Sequence, residues 1–197
     1  MTFTENDFLD LVPSCCEIGL ADISDFTDEE QNELSRFLPD VKSLIIVGHH
    51  IKESLEWVWF PFGTERNNST CAADLHVKSV IEKIDYFLKI KGYNNCIAPY
   101  PGGCGLNFKT IAERTGMGEI GASYLFLHRE WGPWIHLRVL LSEAEIERKK
   151  VKRKGICLNC NKCIEACPGN AIGENTFNGL KCNEKQLAEG KRLGMKG

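Results

Sequence analysis

The tightest constraint on this chain is a run of four cysteines, Cys157, Cys160, Cys163 and Cys167, closed by Pro168. Cys-x2-Cys-x2-Cys-x3-Cys-Pro is the spacing with which bacterial ferredoxins aim three thiolates at three irons of one 4Fe–4S cluster, while the fourth cysteine serves a second cluster. A ligand of the first cluster must then come from elsewhere, and Cys182 is the one cysteine that follows the run. Zinc is the competing metal, but its structural sites favour two separated Cys-x2-Cys pairs or Cys/His mixtures over a triplet ending in Cys-Pro. The run therefore points to one-electron iron–sulfur chemistry and leaves the substrate unnamed.

A chain of 197 residues is long enough for one well-buried core and a small appendage. With 43% hydrophobic and 26% charged residues it reads as an ordinary soluble globular protein, and a formal charge of −3 gives no electrostatic case for gripping bulk nucleic acid. Ten cysteines would suit a disulfide scaffold in a small secreted domain. Against that, the N-terminus lacks a basic start followed by an apolar core, and no apolar run is long enough to span a bilayer. A reducing, cytoplasmic address with metal ligation is the expectation. Cys15 and Cys16 are adjacent and Cys71, Cys96 and Cys104 are scattered, so these five read as small buried residues.

Residues 25–38 read as a surface helix with acidic residues in its first turn. Ser43-Leu-Ile-Ile-Val-Gly is a buried strand ending at Gly48, with His49 and His50 leaving its end. The aromatic, Gly- and Asn-rich segment 57–70 is an irregular loop suited to covering a pocket. Over residues 71–89, Val77, Val80, Ile81, Ile84, Phe87 and Leu88 recur at helical spacing, with Ser69 or Thr70 as the cap. A strand through residues 95–98, the loop Pro101-Gly-Gly-Cys-Gly and a helix over residues 108–114 follow. The segments 123–128 and 134–141 read as a strand pair joined by the turn Glu130-Trp-Gly-Pro. The basic stretch 148–154 offers little to bury and marks a boundary between residues 1–147 and 155–197.

Several local patterns carry two readings. Gly116-x-Gly118-x-x-Gly121 matches the dinucleotide fingerprint by letters, yet that fingerprint needs a strand before it and a helix after it. Here the order is reversed, leaving a turn that hugs a cofactor or a plain tight turn. The loop at 101–105 could offer backbone N–H groups to an anion or be a simple turn. Within or beside it, Cys104 could be an activated thiol and Tyr100 a proton donor, against inert and packing roles. His49, His50, His76, His128 and His136 read individually as structural, with His128 and His136 flanking the Trp-Gly-Pro turn as pocket candidates. Trp57, Trp59, Trp131 and Trp134 could wall a large planar cofactor or fill the core.

Three stretches carry a family resemblance. They are Leu-Pro-Asp-Val-Lys-Ser-Leu-Ile-Ile-Val at 38–47, Ile-Ala-Glu-Arg-Thr-Gly-Met-Gly-Glu-Ile-Gly at 111–121, and Phe-Leu-His-Arg-Glu-Trp-Gly-Pro-Trp-Ile-His-Leu at 126–137. Followed by the cysteine run, they resemble the epoxyqueuosine reductases, a family related to the corrinoid-dependent reductive dehalogenases. The resemblance implies an α+β fold, with a nitroreductase-like cobalamin-binding domain over residues 1–147 and a ferredoxin-type 4Fe–4S module over residues 155–197. It implies that Gly118, Gly121, Ser123, Tyr124, Trp131, Trp134 and His136 approach the corrin. Cys157, Cys160 and Cys163 would hold the first cluster, and Cys167 and Cys182 match positions that serve the second.

The implied activity is electron delivery from the cluster to the corrinoid and on to a small substrate, with ferredoxin or flavodoxin as the donor. Tyr100 and Cys104 are the candidate catalytic groups. The chain departs from the family pattern in having Pro101-Gly-Gly-Cys-Gly where the family places a catalytic acid, which points away from epoxide reduction on transfer RNA. It also ends before a second cysteine run, so one cluster is completed by Cys167 or Cys182, or further ligands lie outside this sequence. The alternative is a non-enzymatic module that passes electrons or corrinoid to a partner protein. A homodimer sharing cluster ligands fits the same residues.

Overall fold

The computed structural model describes residues 2–58, 60–61, 69–99, 106–147 and 155–192. Tyr100, Cys104, Trp59 and the basic stretch 148–154 lie outside them. The strands in chain order are β1 (Thr2–Phe3), β2 (Cys16–Asp22), β3 (Ser43–His50), β4 (Phe60–Pro61), β5 (Ser69–Thr70) and β6 (Asn95–Ile97). They continue with β7 (Gly118–Ile120), β8 (Phe126–His128), β9 (Ile135–Ser142), β10 (Glu145–Ile146), β11 (Ile172–Gly173) and β12 (Thr176–Phe177). The helices are α1 (Asp28–Ser35), α2 (Ala72–Ile90), α3 (Phe108–Thr115), α4 (Lys162–Glu165) and α5 (Gly179–Arg192).

The centre is an antiparallel sheet in the order β2-β3-β9-β6. Because side chains alternate along a strand, β3 divides its apolar residues between two cores. Leu44 and Ile46 join Phe108, Ile111, Val139 and Leu141 on the face covered by α1, α3 and the β7–β8 hairpin. Ile45 and Val47 join Val77, Val80, Ile81, Ile84 and Leu88 of α2 on the other. A strand buried on both sides reads as an unbroken apolar run, and Leu44 through Val47 are fully buried.

The structure revises several expectations. The central strand does not end at Gly48: His49 and His50 remain in β3, paired with both Cys16 and Cys15 of the neighbouring chain segment and with β9. The predicted long helix forms, but its N-cap is Cys71, and the Thr70 hydroxyl instead donates to Asp74 at 3.1 Å. The strands on either side of the Trp-Gly-Pro turn do not form a hairpin. β8 pairs with β7, and β9 pairs with β3 and β6, leaving a single bridge between His128 and Gly132 across the turn. Strand β2 was not anticipated, because Cys-Glu-Ile-Gly-Leu-Ala-Asp contains a glycine and one β-branched residue and carries little strand propensity.

Helix, then glycine turn, then strand is the order around the Gly116 to Gly121 segment, the reverse of a dinucleotide-binding turn. Gly116 ends α3 in the left-handed region at φ 81°, the conformation that favours glycine at such a cap. Gly118 is required for a different reason. A Cβ there would lie 2.0 Å from the Leu127 carbonyl oxygen and 2.7 Å from the Phe126 ring. Gly118→Ala is expected to destabilise the protein by about 1–3 kcal/mol, as overpacking of a tight core does, and a shifted denaturant midpoint with an unchanged slope is the check.

Candidate active site and iron–sulfur centre

The cysteine run begins in contact with the β7–β8 hairpin. The Glu119 carboxylate accepts the backbone N–H of Ile156 at 2.7 Å and that of Cys157. In return the Ala122 N–H donates to the Cys157 sulfur at 3.4 Å, and a Cβ on Gly121 would stand 3.5 Å from that sulfur. Tyr124 and Phe177 of β12 stack with ring centroids 5.3 Å apart. The tip of the hairpin is thus clasped by the C-terminal segment at two points.

Asparagines make the tight loop geometry of the run. Asn159 and Asn161 adopt left-handed φ of 49° and 59°, a region that asparagine enters more readily than most residues. After α4, the Cys167 sulfur accepts the Ala171 N–H at 3.3 Å. Backbone N–H groups of Ala171 and Gly169 hold the Cys167 thiol below its ordinary value, the direction that favours a metal-binding thiolate. A Cβ on Gly169 would lie 3.1 Å from Lys185 Cβ and 3.2 Å from the Lys181 carbonyl, so the Cys167 loop rests on α5 beside Cys182.

Around the hairpin tip, Lys109 of α3 donates its Nζ to the Tyr124 carbonyl at 2.8 Å, and burial holds this lysine below its ordinary pKa. Tyr124 itself is left-handed at φ 59°. Leu125 and Trp134 are about half exposed, at 52% and 53%, and leave apolar surface on this part of the molecule. The Trp131 indole stacks with His50 at 4.9 Å and with His128 at 4.1 Å. His128 is fully buried; its Nδ1 accepts the N–H groups of Glu130 and Trp131, and its Nε2 lies 3.1 Å from a Glu17 oxygen. The second Glu17 oxygen pairs with Arg129.

Among the residues singled out by sequence, the structure joins Gly121 to Cys157 and places Gly118, Ser123 and Tyr124 on the same hairpin. It sets His136 apart, on the α2 face of the sheet. There Asp74 accepts His136 Nε2–H at 2.7 Å and takes Arg138 in a two-pronged pair at 2.7 and 2.8 Å. Trp57 packs edge-on against the His136 ring, 5.1 Å between centroids. Burial pushes the Asp74 carboxyl up, but the hydrogen bonds from His136 and Arg138 outweigh it and hold the group well below the ordinary carboxylate range. Burial also holds His136 below its ordinary value, so the imidazole is neutral and Arg138 carries the balancing charge. Asp74, Glu17 and Lys109 carry no signal in the sequence, because a lone acid or lysine has no local signature and acquires its role from a partner far along the chain.

No protein-family model matches the chain. Over 75 residues it is 44% identical to an epoxyqueuosine reductase of Prochlorococcus marinus, a match covering 38% of this chain and 24% of that protein. Over 100 residues it is 31% identical to a tetrachloroethene reductive dehalogenase of Dehalobacter restrictus, covering 49% of this chain and 18% of the relative. The mixed α/β fold superposes on an epoxyqueuosine reductase from Streptococcus thermophilus with a TM-score of 0.67 at 18% identity, over 93% of this chain and 56% of that one. It also superposes on a catabolic reductive dehalogenase with a TM-score of 0.54 at 14% identity, over 81% of this chain and 24% of that one. The matched stretches span well under half of the curated relatives' lengths. The chain is thus similar in part of its sequence, and in fold, to epoxyqueuosine reductases and reductive dehalogenases.

Proposed function

We propose that this chain is an iron–sulfur reductase in which Cys157, Cys160 and Cys163 hold a 4Fe–4S cluster that feeds a corrinoid beside the β7–β8 hairpin. The observation that carries the reading is the Ala122 N–H donated to the Cys157 sulfur. It puts the first cysteine of the run against the very loop that the resemblance brings to the corrin. In this scheme the cluster supplies single electrons and the corrinoid supplies a strongly reducing cobalt centre for a small substrate.

The residues present fit a cluster better than a single ion. Among the described residues, the three-ligand groups whose donor atoms all lie within 4.8 Å of one another are Cys15, Cys16, His49 and His49, Glu56, His76. Cys157, Cys160 and Cys163 instead follow the ferredoxin spacing that aims three thiolates at three irons of one cluster, where structural zinc favours two separated pairs. Hydrogen bonds to sulfur, which tune cluster potential, are already present at Cys157 and Cys167. Cys167 and Cys182 are the two candidates for the fourth ligand, on a loop and a helix that touch.

The hairpin's own residues would do the positioning. Gly118 and Gly121 let the two strands and the cysteine run approach closely, Lys109 pins the Tyr124 carbonyl, and Ser123, Tyr124, Trp131 and Trp134 would line the corrin's surroundings. His136 would act only from behind, as part of the Asp74 network. Tyr100 is the candidate proton donor and Cys104 the candidate activated thiol, and ferredoxin or flavodoxin is the proposed electron donor.

Anaerobic reconstitution with iron and sulfide tests this reading. About four irons and four sulfides per chain are expected, with visible absorption that bleaches under dithionite, and cobalamin is expected to co-elute on gel filtration. Failure to load iron would overturn the proposal. Loading of iron with no retention of cobalamin would replace it by the non-enzymatic electron-transfer module, the reading favoured by the lack of an acid in the 101–105 loop.

A further inference from the structure

The face of the sheet opposite the β7–β8 hairpin carries a second group of metal-ligand side chains, which the reductase reading does not use. Cys16 and His49 are cross-strand partners on β2 and β3, so both side chains leave the sheet on its α2 side. Cys15 immediately precedes β2. The two sulfurs and a ring nitrogen of His49 all lie within 4.8 Å of one another, and Cys16 Sγ is 3.6 Å from His49 Nδ1. Cys16 is 8% and His49 3% exposed.

The other side of the imidazole decides its tautomer. His49 Nε2 lies 2.8 Å from a Glu56 oxygen, and the second Glu56 oxygen accepts the N–H groups of Lys52 at 2.8 Å and Glu53 at 3.1 Å. With its acceptors thus engaged, Glu56 takes the proton of Nε2 as a hydrogen bond. The Nδ1 lone pair is left facing the two sulfurs. A carboxylate holding one imidazole nitrogen while the other faces a metal is the usual support of a metal-ligating histidine. Two thiols and one imidazole form the Cys2His set that zinc accepts with a fourth position open, and their softness selects against magnesium or calcium.

We propose that Cys15, Cys16 and His49 form a zinc site, with Glu56 as its positioning residue. Each thiol releases its proton to solvent when zinc binds, and no electron is transferred. The site is independent of the cluster proposal and stands on other residues. A rival arrangement uses His49, Glu56 and His76, which also converge within 4.8 Å. That arrangement would take the nitrogen already bonded to Glu56, and it would rely on an exposed His76.

The test uses the full chain with its iron–sulfur site loaded, stripped with a mild chelator and titrated with zinc chloride, and separately with cobalt chloride. One zinc per chain is expected beyond the iron, and the cobalt form should show thiolate-to-metal charge-transfer absorption. Cys16→Ala and His49→Ala should lose the zinc, Glu56→Gln should weaken it roughly 10- to 100-fold, and His76→Ala should leave it unchanged. Circular dichroism and thermal melting of the metal-free variants check folding. The cobalt spectrum of the unaltered protein decides the matter even if a variant fails to fold. No zinc beyond the iron, a cobalt spectrum without a thiolate band, or loss of zinc in His76→Ala but not in Cys16→Ala would each overturn the proposal.

Discussion

Alanine at Cys160 is expected to abolish iron and sulfide incorporation, because no other described thiol can take its place between Cys157 and Cys163. Cys160 is exposed while its two neighbours in the run are half-buried, so the substitution removes a ligand without opening a cavity. Binding of a metal centre by a small loop is itself folding energy for that loop. The C-terminal segment should therefore loosen, and proteolysis near residues 155–170 should accelerate. The hairpin side should respond less, since β7 and β8 pair with each other and pack on α3. Cys167→Ala and Cys182→Ala then sort the fourth ligand: the variant that loses cluster absorption names it, and the other should retain about the full iron content. Unchanged iron in Cys160→Ala would remove the cluster from the proposed function altogether.

The apolar periodicity of residues 77–88 and the unbroken run at 44–47 made α2 and β3 legible, because each is dictated by local sequence and deep burial. The same logic could not show that β3 continues through two histidines, since His49 and His50 are held by partners on β2 and β9 rather than by their own propensity. The hairpin was misjudged for a related reason. Trp131-Gly-Pro looked like a connection between paired strands, yet pairing depends on which segment supplies the facing edge, and Gly118–Ile120 supplied it. Of the site, the cysteine spacing was visible because ligand geometry is written in short-range sequence. The Asp74 and Glu17 contacts span separations that no local pattern encodes, and Tyr100 and Cys104 lie outside the described residues.

Asp74→Ala is expected to cost about 3–5 kcal/mol, the range for breaking a buried ion pair by removing one partner. Asp74 and Arg138 side chains are 6% and 12% exposed, so the guanidinium left behind keeps little water to replace the two-pronged pair. His136 Nε2–H loses the same acceptor. If loss of the Asp74 charge beside the guanidinium causes the destabilisation, Asp74→Ala combined with Arg138→Met should recover part of it, a non-additivity that a double-mutant cycle measures directly. The pH dependence has a fixed sign. A carboxylate whose folded pKa is depressed contributes stability that is fully present above its unfolded value of about 3.9 and is lost as pH falls through the folded value. His136, also depressed on folding, adds loss in the same direction as pH falls below its unfolded value of about 6.5. Because Asp74 itself draws the His136 pKa upward against burial, the stability gap between the unaltered protein and Asp74→Ala should persist from neutral pH down to the unfolded carboxylate value of about 3.9 and narrow below it, as read by denaturant midpoints at several pH values. A gap that failed to narrow below that value would mean that Asp74 is held by something other than these two partners.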